Sequence, residues 1–324
     1  MLRISNQDLM TAENLLLAGE VVALPTETVY GLAASIESEA AIRKVFSLKQ
    51  RPFFDPLIIH VASLKQAKSL VKEWSALTDF LARSFWPGAL TLVLPKAPHV
   101  NPLITSGLET VAIRFPDHEM AQQLIANVGP LAAPSANKFG KTSPTQAHHV
   151  REEFKGENIF VVDGGACNVG IESTVLEVGA DETYISILRP GGVSQFALSE
   201  CLKKWSHPVE IRSHQSEKSP GHLLHHYMPE LPLILLMAGE DLQQISQKLN
   251  SELQTGFELK LSPEPQQAAR ELYARLRIAK PDAYDFIYYK IAEACFANSD
   301  WDAILDRIKR AASFKSDRAQ QLFK

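Results

Sequence analysis

Short apolar runs alternate with stretches of helical periodicity over the first two hundred residues, and that alternation restricts the fold more than any other feature of the chain. EVVALP (20–25), PLIIHVA (56–62), ALTLVLP (89–95), PLAAP (130–134), NIFVVD (158–163), STVLEV (173–178) and TYISILRP (183–190) read as strands. Between them, SEAAIRKVFSLK (38–49) reads as a helix capped by Ser38, and a long amphipathic helix is expected from about Leu64 to Phe85. Ser194 caps a further helix through Leu202. In TVAIRF (110–115) the strand period puts Val111, Ile113 and Phe115 on one face and Arg114 on the other. This order predicts an α/β domain with helices covering a sheet.

The pattern breaks at HPVEIRSHQSEKSPGHLLHHYMPELP (207–232), a polar stretch that holds five of the ten histidines. A connector this long is either functional or disordered. Beyond it, strand LILLM (233–237), helix 240–253, strand FELKL (257–261), helix 263–277, strand AYDFIYY (283–289) and helix 301–312 predict a small parallel α/β domain. The expected division is therefore 1–206, a connector at 207–232, and 233–324.

Composition removes several classes. A formal net charge of −4 argues against a protein that wraps nucleic acid, whose affinity comes from neutralising phosphates. Cys167, Cys201 and Cys295 lie far apart without metal-type spacing and fit free thiols in a reducing compartment. The strongest apolar run, LPLILLMAG (231–239), is too short for a bilayer span, and the N-terminus lacks a signal-type core. A soluble cytoplasmic protein is expected, with no membrane contact.

Several constellations admit two readings. Lys49 and Arg51 stand at a helix end, where cations offset the macrodipole; Pro52 and Pro56 also aim them at the mouth of a sheet, where ligands bind. PTETVYG (25–31) is either a solvated turn or a corner whose Thr26 or Thr28 binds a small polar ligand. Ser135 and Asn137 in APSAN are turn formers, and Ser143, Pro144 and Gln146 have the spacing of a capping box. Arg114 needs a carboxylate, from the protein or from a ligand; Arg189, followed by Gly191 and Gly192, poses the same choice. The common nucleotide and zinc fingerprints are absent, and His222, His225 and His226 read as solvated rather than metal-binding.

The order of these segments carries more than any one of them. PTETVYGL, K-x-RP with DPLIIH, TVAIRFP, PSANKFGKTSPT, DGG…GIESTV and ILRPGG, followed by SPGHLLHHYMP and ARELYARLR…WDAILDRIKRAA, resemble the long, two-domain threonylcarbamoyl-AMP synthases. The resemblance implies a twisted mixed sheet with helices (the YrdC-like domain), a long linker that folds over the active site, and a small Rossmann-like parallel α/β C-terminal domain. It implies that L-threonine, bicarbonate or CO2, and ATP with Mg2+ give threonylcarbamoyl-AMP and pyrophosphate, the first step of a modification of tRNAs decoding ANN codons. A downstream tRNA threonylcarbamoyltransferase system would use the product, and a weak contact with tRNA or double-stranded RNA is compatible with it. By the same resemblance Lys49, Arg51, Ser135 and Asn137 are catalytic, with no resident metal site. Thr28, His60, Arg114, Ala133 and Ser173 would hold threonine; Arg51, Asp55, Thr110, Ser135, Ser143, Arg189 and Tyr227 would hold ATP. Asp55 stands where the family has asparagine, Leu224 where it has an aromatic and His222 where it has methionine. The alternatives are a carbamoyltransferase relative and an RNA-binding module without catalysis.

Overall fold

The structure is a computed structural model that describes residues 6–213, 226–242 and 255–323. The chain forms two compact units: residues 1–139 with 143–222, and residues 140–142 with 223–324.

In the first unit, among the described residues, ten strands make one sheet: β1 (Val22–Leu24), β2 (Gly31–Ser35), β3 (Ile58–His60), β4 (Leu90–Pro95), β5 (Thr110–Arg114), β6 (Leu131–Ala132), β7 (Phe160–Val161), β8 (Thr174–Val178), β9 (Tyr184–Arg189) and β10 (Glu210–Ser213). Their spatial order is β10-β9-β8-β4-β5-β3-β6-β2-β1-β7, with parallel and antiparallel neighbours intermixed. The mixed sheet expected from the sequence is present. Val111 and Ile113 face the main core with Leu57, Ile59, Leu92 and Leu94, whereas Ala112 turns to a separate small cluster with Ile58, Val93, Val175 and Leu188. The period-2 reading of this strand therefore holds.

Helix α1 spans Asn6–Leu17 and α2 spans Glu39–Lys49. The Ser38 hydroxyl accepts from Ala41 N, and the apolar positions Ala41, Ile42, Val45 and Phe46 are buried along one stripe. Burying Ile42 and Phe46 contributes roughly 1.5–3 kcal/mol each. The expected helix from Leu64 to Phe85 is two helices, α3 (Leu64–Ser69) and α4 (Ala76–Phe85). Residues between them pair instead with the end of β4: Val71 bridges Lys96, and Lys72 N donates to Pro95 O. Ser75 then caps α4 by accepting from Thr78 N. The remaining helices are α5 (Pro102–Thr105), α6 (Glu119–Val128), α7 (Ala147–Glu153) and α8 (Gln195–Leu202), the last capped by Ser194 as expected.

The capping box expected at Ser143 is not formed. Helix α7 starts at Ala147 with Gln146 as N-cap, because Ser143 is drawn to Glu172 and the Pro144 carbonyl accepts from Tyr30 N. The polar stretch from 207 is not all connector either. Glu210–Ser213 pairs in parallel with β9, so the first unit continues past the boundary expected at 206.

In the second unit the described strands β11 (Leu233–Met237), β12 (Gly256–Glu258), β13 (Phe286–Ile291) and β14 (Ala312–Lys315) lie in the order β12-β13-β11-β14, and every pair is parallel. The parallel domain is as expected, with a fourth strand, ASFK, whose first residue falls in the helix expected over 301–312; the strand is too short and too mixed to show a period. Helices Pro265–Ile278 and Asp302–Ala311 correspond to those expected, while most of the helix expected over 240–253 lies outside the described residues.

Candidate functional site

The sheet registers line up one polar row. His60 on β3 is opposite Arg114 on β5, Arg114 is opposite Thr91 on β4, Thr91 is opposite Val175 on β8, and Val175 is opposite Arg189 on β9. Directly opposed residues project to the same face, so two arginines, an imidazole and a hydroxyl share one surface. All four polar residues are buried.

Each member of the row is held in place. Arg114 donates from Nη1 to Thr28 Oγ1 (2.8 Å) and from Nε to the Gly88 carbonyl (3.2 Å), and its Nη2 lies 2.6 Å from Glu27 Oε1. The choice left open by the sequence thus has an internal carboxylate on the protein side, and the PTETVYG corner is buried rather than solvated. Thr28 Oγ1 is also 2.9 Å from Thr26 Oγ1, which donates to the Val29 carbonyl. The His60 pKa is pushed down to about 3, first by burial and second by the Arg114 charge, so its ring is neutral; Nδ1 has no hydrogen-bond partner among the described residues. Arg189 donates through Nη2 to the Ser173 carbonyl (3.0 Å) and Oγ (3.3 Å), and Ser173 Oγ lies 2.7 Å from Thr91 Oγ1. Gly191 makes this approach possible. A Cβ there would sit 2.3 Å from the Ser173 carbonyl carbon and from Thr174 N.

The second cluster forms where α2 ends. Gln50 adopts the left-handed conformation (φ 52°) and Arg51 N donates back to the Phe46 carbonyl, a turn that folds both cations inward. Lys49 Nζ donates to the Ser135 carbonyl and, at 2.6 Å, to the Asn137 carbonyl. Arg51 donates to the Asp55 carbonyl (3.0 Å) and the Pro56 carbonyl (2.8 Å), and its Nη2 pairs with Asp55 Oδ2 at 2.9 Å. Neither cation is an exposed helix end: Lys49 is 1% exposed and Arg51 7%. The Lys49 pKa is well below the ordinary lysine value, chiefly through burial and then through the Arg51 charge. Asp55, the carboxylate in the asparagine position, is thereby occupied as the internal counter-ion of Arg51.

The two clusters meet through neighbouring segments. Ala133 N donates to the Ile58 carbonyl, two residues before His60, and Ser135, two residues on, bridges Gly31 in the backbone. Ser143 donates to Glu172 Oε1 (2.6 Å), next to Ser173. Thr28, His60, Arg114, Ala133, Ser173 and Arg189 are thus connected, as are Lys49, Arg51, Asp55, Ser135 and Asn137. Thr110 is not brought into either cluster, since it begins the strand that Arg114 ends, roughly 13 Å away. Tyr227 belongs to the second unit, where its ring stacks on Tyr273 and lies beneath Arg307. There His226 is buried against Tyr227, contrary to the solvated reading; His222, Leu224 and His225 lie outside the described residues.

Glu27, Thr91 and Glu172 were missed as site members. Thr91 carried a usable signal, a polar residue at an alternating position of an apolar strand. Glu27 and Glu172 carried none, because only the fold brings their cations to them. Among the described residues no group of three His, Cys, Asp or Glu could hold a metal, and no helix is long and apolar enough to cross a membrane.

Comparison with known proteins covers both units of the chain. The Sua5/YciO/YrdC family model, described as telomere recombination, matches residues 14–191, and the model of the threonylcarbamoyl-AMP synthase C-terminal domain matches residues 193–313. The threonylcarbamoyl-AMP synthase of Pyrococcus abyssi is 43% identical over 242 residues, 74% of this chain and 71% of that protein. The Bacillus subtilis protein of the same name is 45% identical over 231 residues, 69% of this chain and 65% of its own length. A crystal structure of P. abyssi Sua5 complexed with L-threonine superposes with a TM-score of 0.85 at 36% identity, covering 97% of each chain.

Proposed function

The chain belongs to the Sua5/YrdC family of threonylcarbamoyl-AMP synthases, and on that premise we propose that it makes threonylcarbamoyl-AMP from L-threonine, bicarbonate or CO2, and ATP. The observation that carries this reading is Arg114: a buried guanidinium flanked by the Thr28 hydroxyl and in register with a neutral imidazole, His60. A guanidinium suits an α-carboxylate, and hydroxyl and imidazole suit a side-chain hydroxyl. Ser173 and the Ala133 backbone complete the threonine pocket in this proposal.

In the reaction, the threonine nitrogen loses a proton and forms a bond to the carbon of CO2, or of bicarbonate with loss of water. A carbamate oxygen then attacks the α-phosphorus of ATP as the bond to pyrophosphate breaks. Charge builds on the phosphates, and Lys49 and Arg51 answer it. Lys49 in particular is a buried cation with its charge disfavoured by its surroundings, so an arriving anion relieves it. The carbonyls of Ser135 and Asn137 fix its position, and Asp55 fixes that of Arg51. Thr110, Ser143 and Arg189 are assigned to the nucleotide. Mg2+ would be carried mainly on the triphosphate, as suits a site whose described carboxylates are engaged by protein cations and hydroxyls. Ordering three small reactants supplies much of the rate, and no nucleophilic side chain is required. The product would pass to a tRNA threonylcarbamoyl-transferring system.

The test is pyrophosphate release from ATP with threonine and bicarbonate each omitted in turn. Release should need all three; release indifferent to threonine would overturn the proposal.

A further inference from the structure

The second unit has a feature that the threonylcarbamoyl chemistry leaves unused. Its strands β12 and β13 end at a cavity of about 650 Å³ whose lining includes Glu258, Lys260, Ser262, Lys290, Cys295 and Trp301. That volume is in the range of small-molecule sites. Its place is also the expected one, since open parallel sheets bind ligands beyond the carboxyl ends of their strands.

The charges there are unbalanced in a specific way. The register Gly256↔Phe286, Phe257↔Ile287, Glu258↔Tyr288 closes with a hydrogen bond from Leu259 N to the Tyr288 carbonyl. Lys260 and Lys290 both line the cavity. One carboxylate cannot neutralise two ammonium groups. Glu258 pairs with Lys260 at 3.3 Å, and Lys290 forms no ion pair among the described residues. Trp301, 6% exposed, is also part of the wall. A cationic pair next to a fixed aromatic surface matches a ligand that joins an anion to a flat ring.

We propose that this cavity is a binding site of the second unit's own, for a small phosphate-bearing anion of the mononucleotide class. The phosphate would lie between Lys260 and Lys290, whose surplus positive charge it balances, and the ring would lie toward Trp301. The site is assigned to binding and to no chemical step.

The experiment uses the full-length protein with AMP and, separately, inorganic phosphate, read by amide hydrogen exchange over peptides covering 258–263 and 289–301. AMP is expected to protect both segments saturably, and Lys260→Glu with Lys290→Glu is expected to weaken this by roughly tenfold or more in Kd. The double variant changes two exposed side chains and should keep threonine-dependent pyrophosphate release, which separates this site from the catalytic one. Absence of saturable protection at these peptides, or protection indifferent to the charge reversal, overturns the proposal. Equal protection by inorganic phosphate retains the anion site and overturns the nucleotide assignment.

Discussion

Arg114 and Glu27 form an ion pair of 2.6 Å with side chains only 4% and 7% exposed. Its two partners come from different sheet positions, Arg114 from the end of β5 and Glu27 from the corner after β1. Breaking a buried pair from one side leaves the other charge uncompensated, which costs about 3–5 kcal/mol. Glu27→Gln should therefore lower the urea midpoint markedly and raise KM for threonine more than KM for ATP. An unchanged midpoint would show that Arg114 does not depend on Glu27.

Lys49→Ala tests the second cluster. A cation exposed at a helix end would cost less than about 1 kcal/mol to remove. Lys49 is instead buried and donates to two carbonyls, so their loss as a partnered set should cost about 1–3 kcal/mol besides abolishing pyrophosphate release. Denaturation midpoints of the variant decide between the two.

The neutral His60 makes a pH prediction. Its folded-state pKa of about 3 lies below the ordinary value near 6.5, so above that pH it is neutral in both states and stability is unaffected. As pH falls from about 6.5 toward 3, the unfolded chain takes up a proton that the folded chain refuses, and stability drops by up to about 1.4 kcal/mol per pH unit. Urea midpoints at pH 7.5, 6 and 5 should fall more steeply for the native protein than for His60→Gln. Parallel slopes would place the titration elsewhere.

Thiol chemistry should separate the cysteines. Burial pushes the Cys167 thiol up to about 12, with Glu27 adding to the shift, whereas Cys201 is partly exposed. Iodoacetamide at pH 8 is expected to label Cys201 and to reach Cys167 only after unfolding. Early labelling of Cys167 would mean that the corner behind Glu27 opens in the native protein.

Much of this was readable in the residues, for identifiable reasons. Strand TVAIRF declared itself because its large apolar residues alternate toward the main core, and helix 38–49 because one stripe of it is buried. The helix expected through 64–85 failed where Val71 pairs with Lys96, a partner far along the chain that no local pattern announces. The capping box at Ser143 failed likewise, to a carboxylate twenty-nine positions away. For the site, the identities of Lys49, Arg51, His60 and Arg114 were legible, but not their burial. Whether a cation is a helix cap or a clamp depends on which backbone carbonyls surround it, and Ser135 and Asn137 reach Lys49 only through the sheet.

The second unit is not one continuous piece of chain. Residues 140–142, from the middle of the first unit's sequence, belong to it: Lys141 bridges Met228, Thr142 Oγ1 donates to the Tyr227 carbonyl (3.2 Å), and Arg277 donates to the Thr142 carbonyl. No single cut therefore yields both units intact. A gene ending near 222 would encode the first unit carrying three residues whose backbone partners had been deleted. Gaining or losing the second unit in evolution thus requires two coordinated changes in the sequence rather than one fusion.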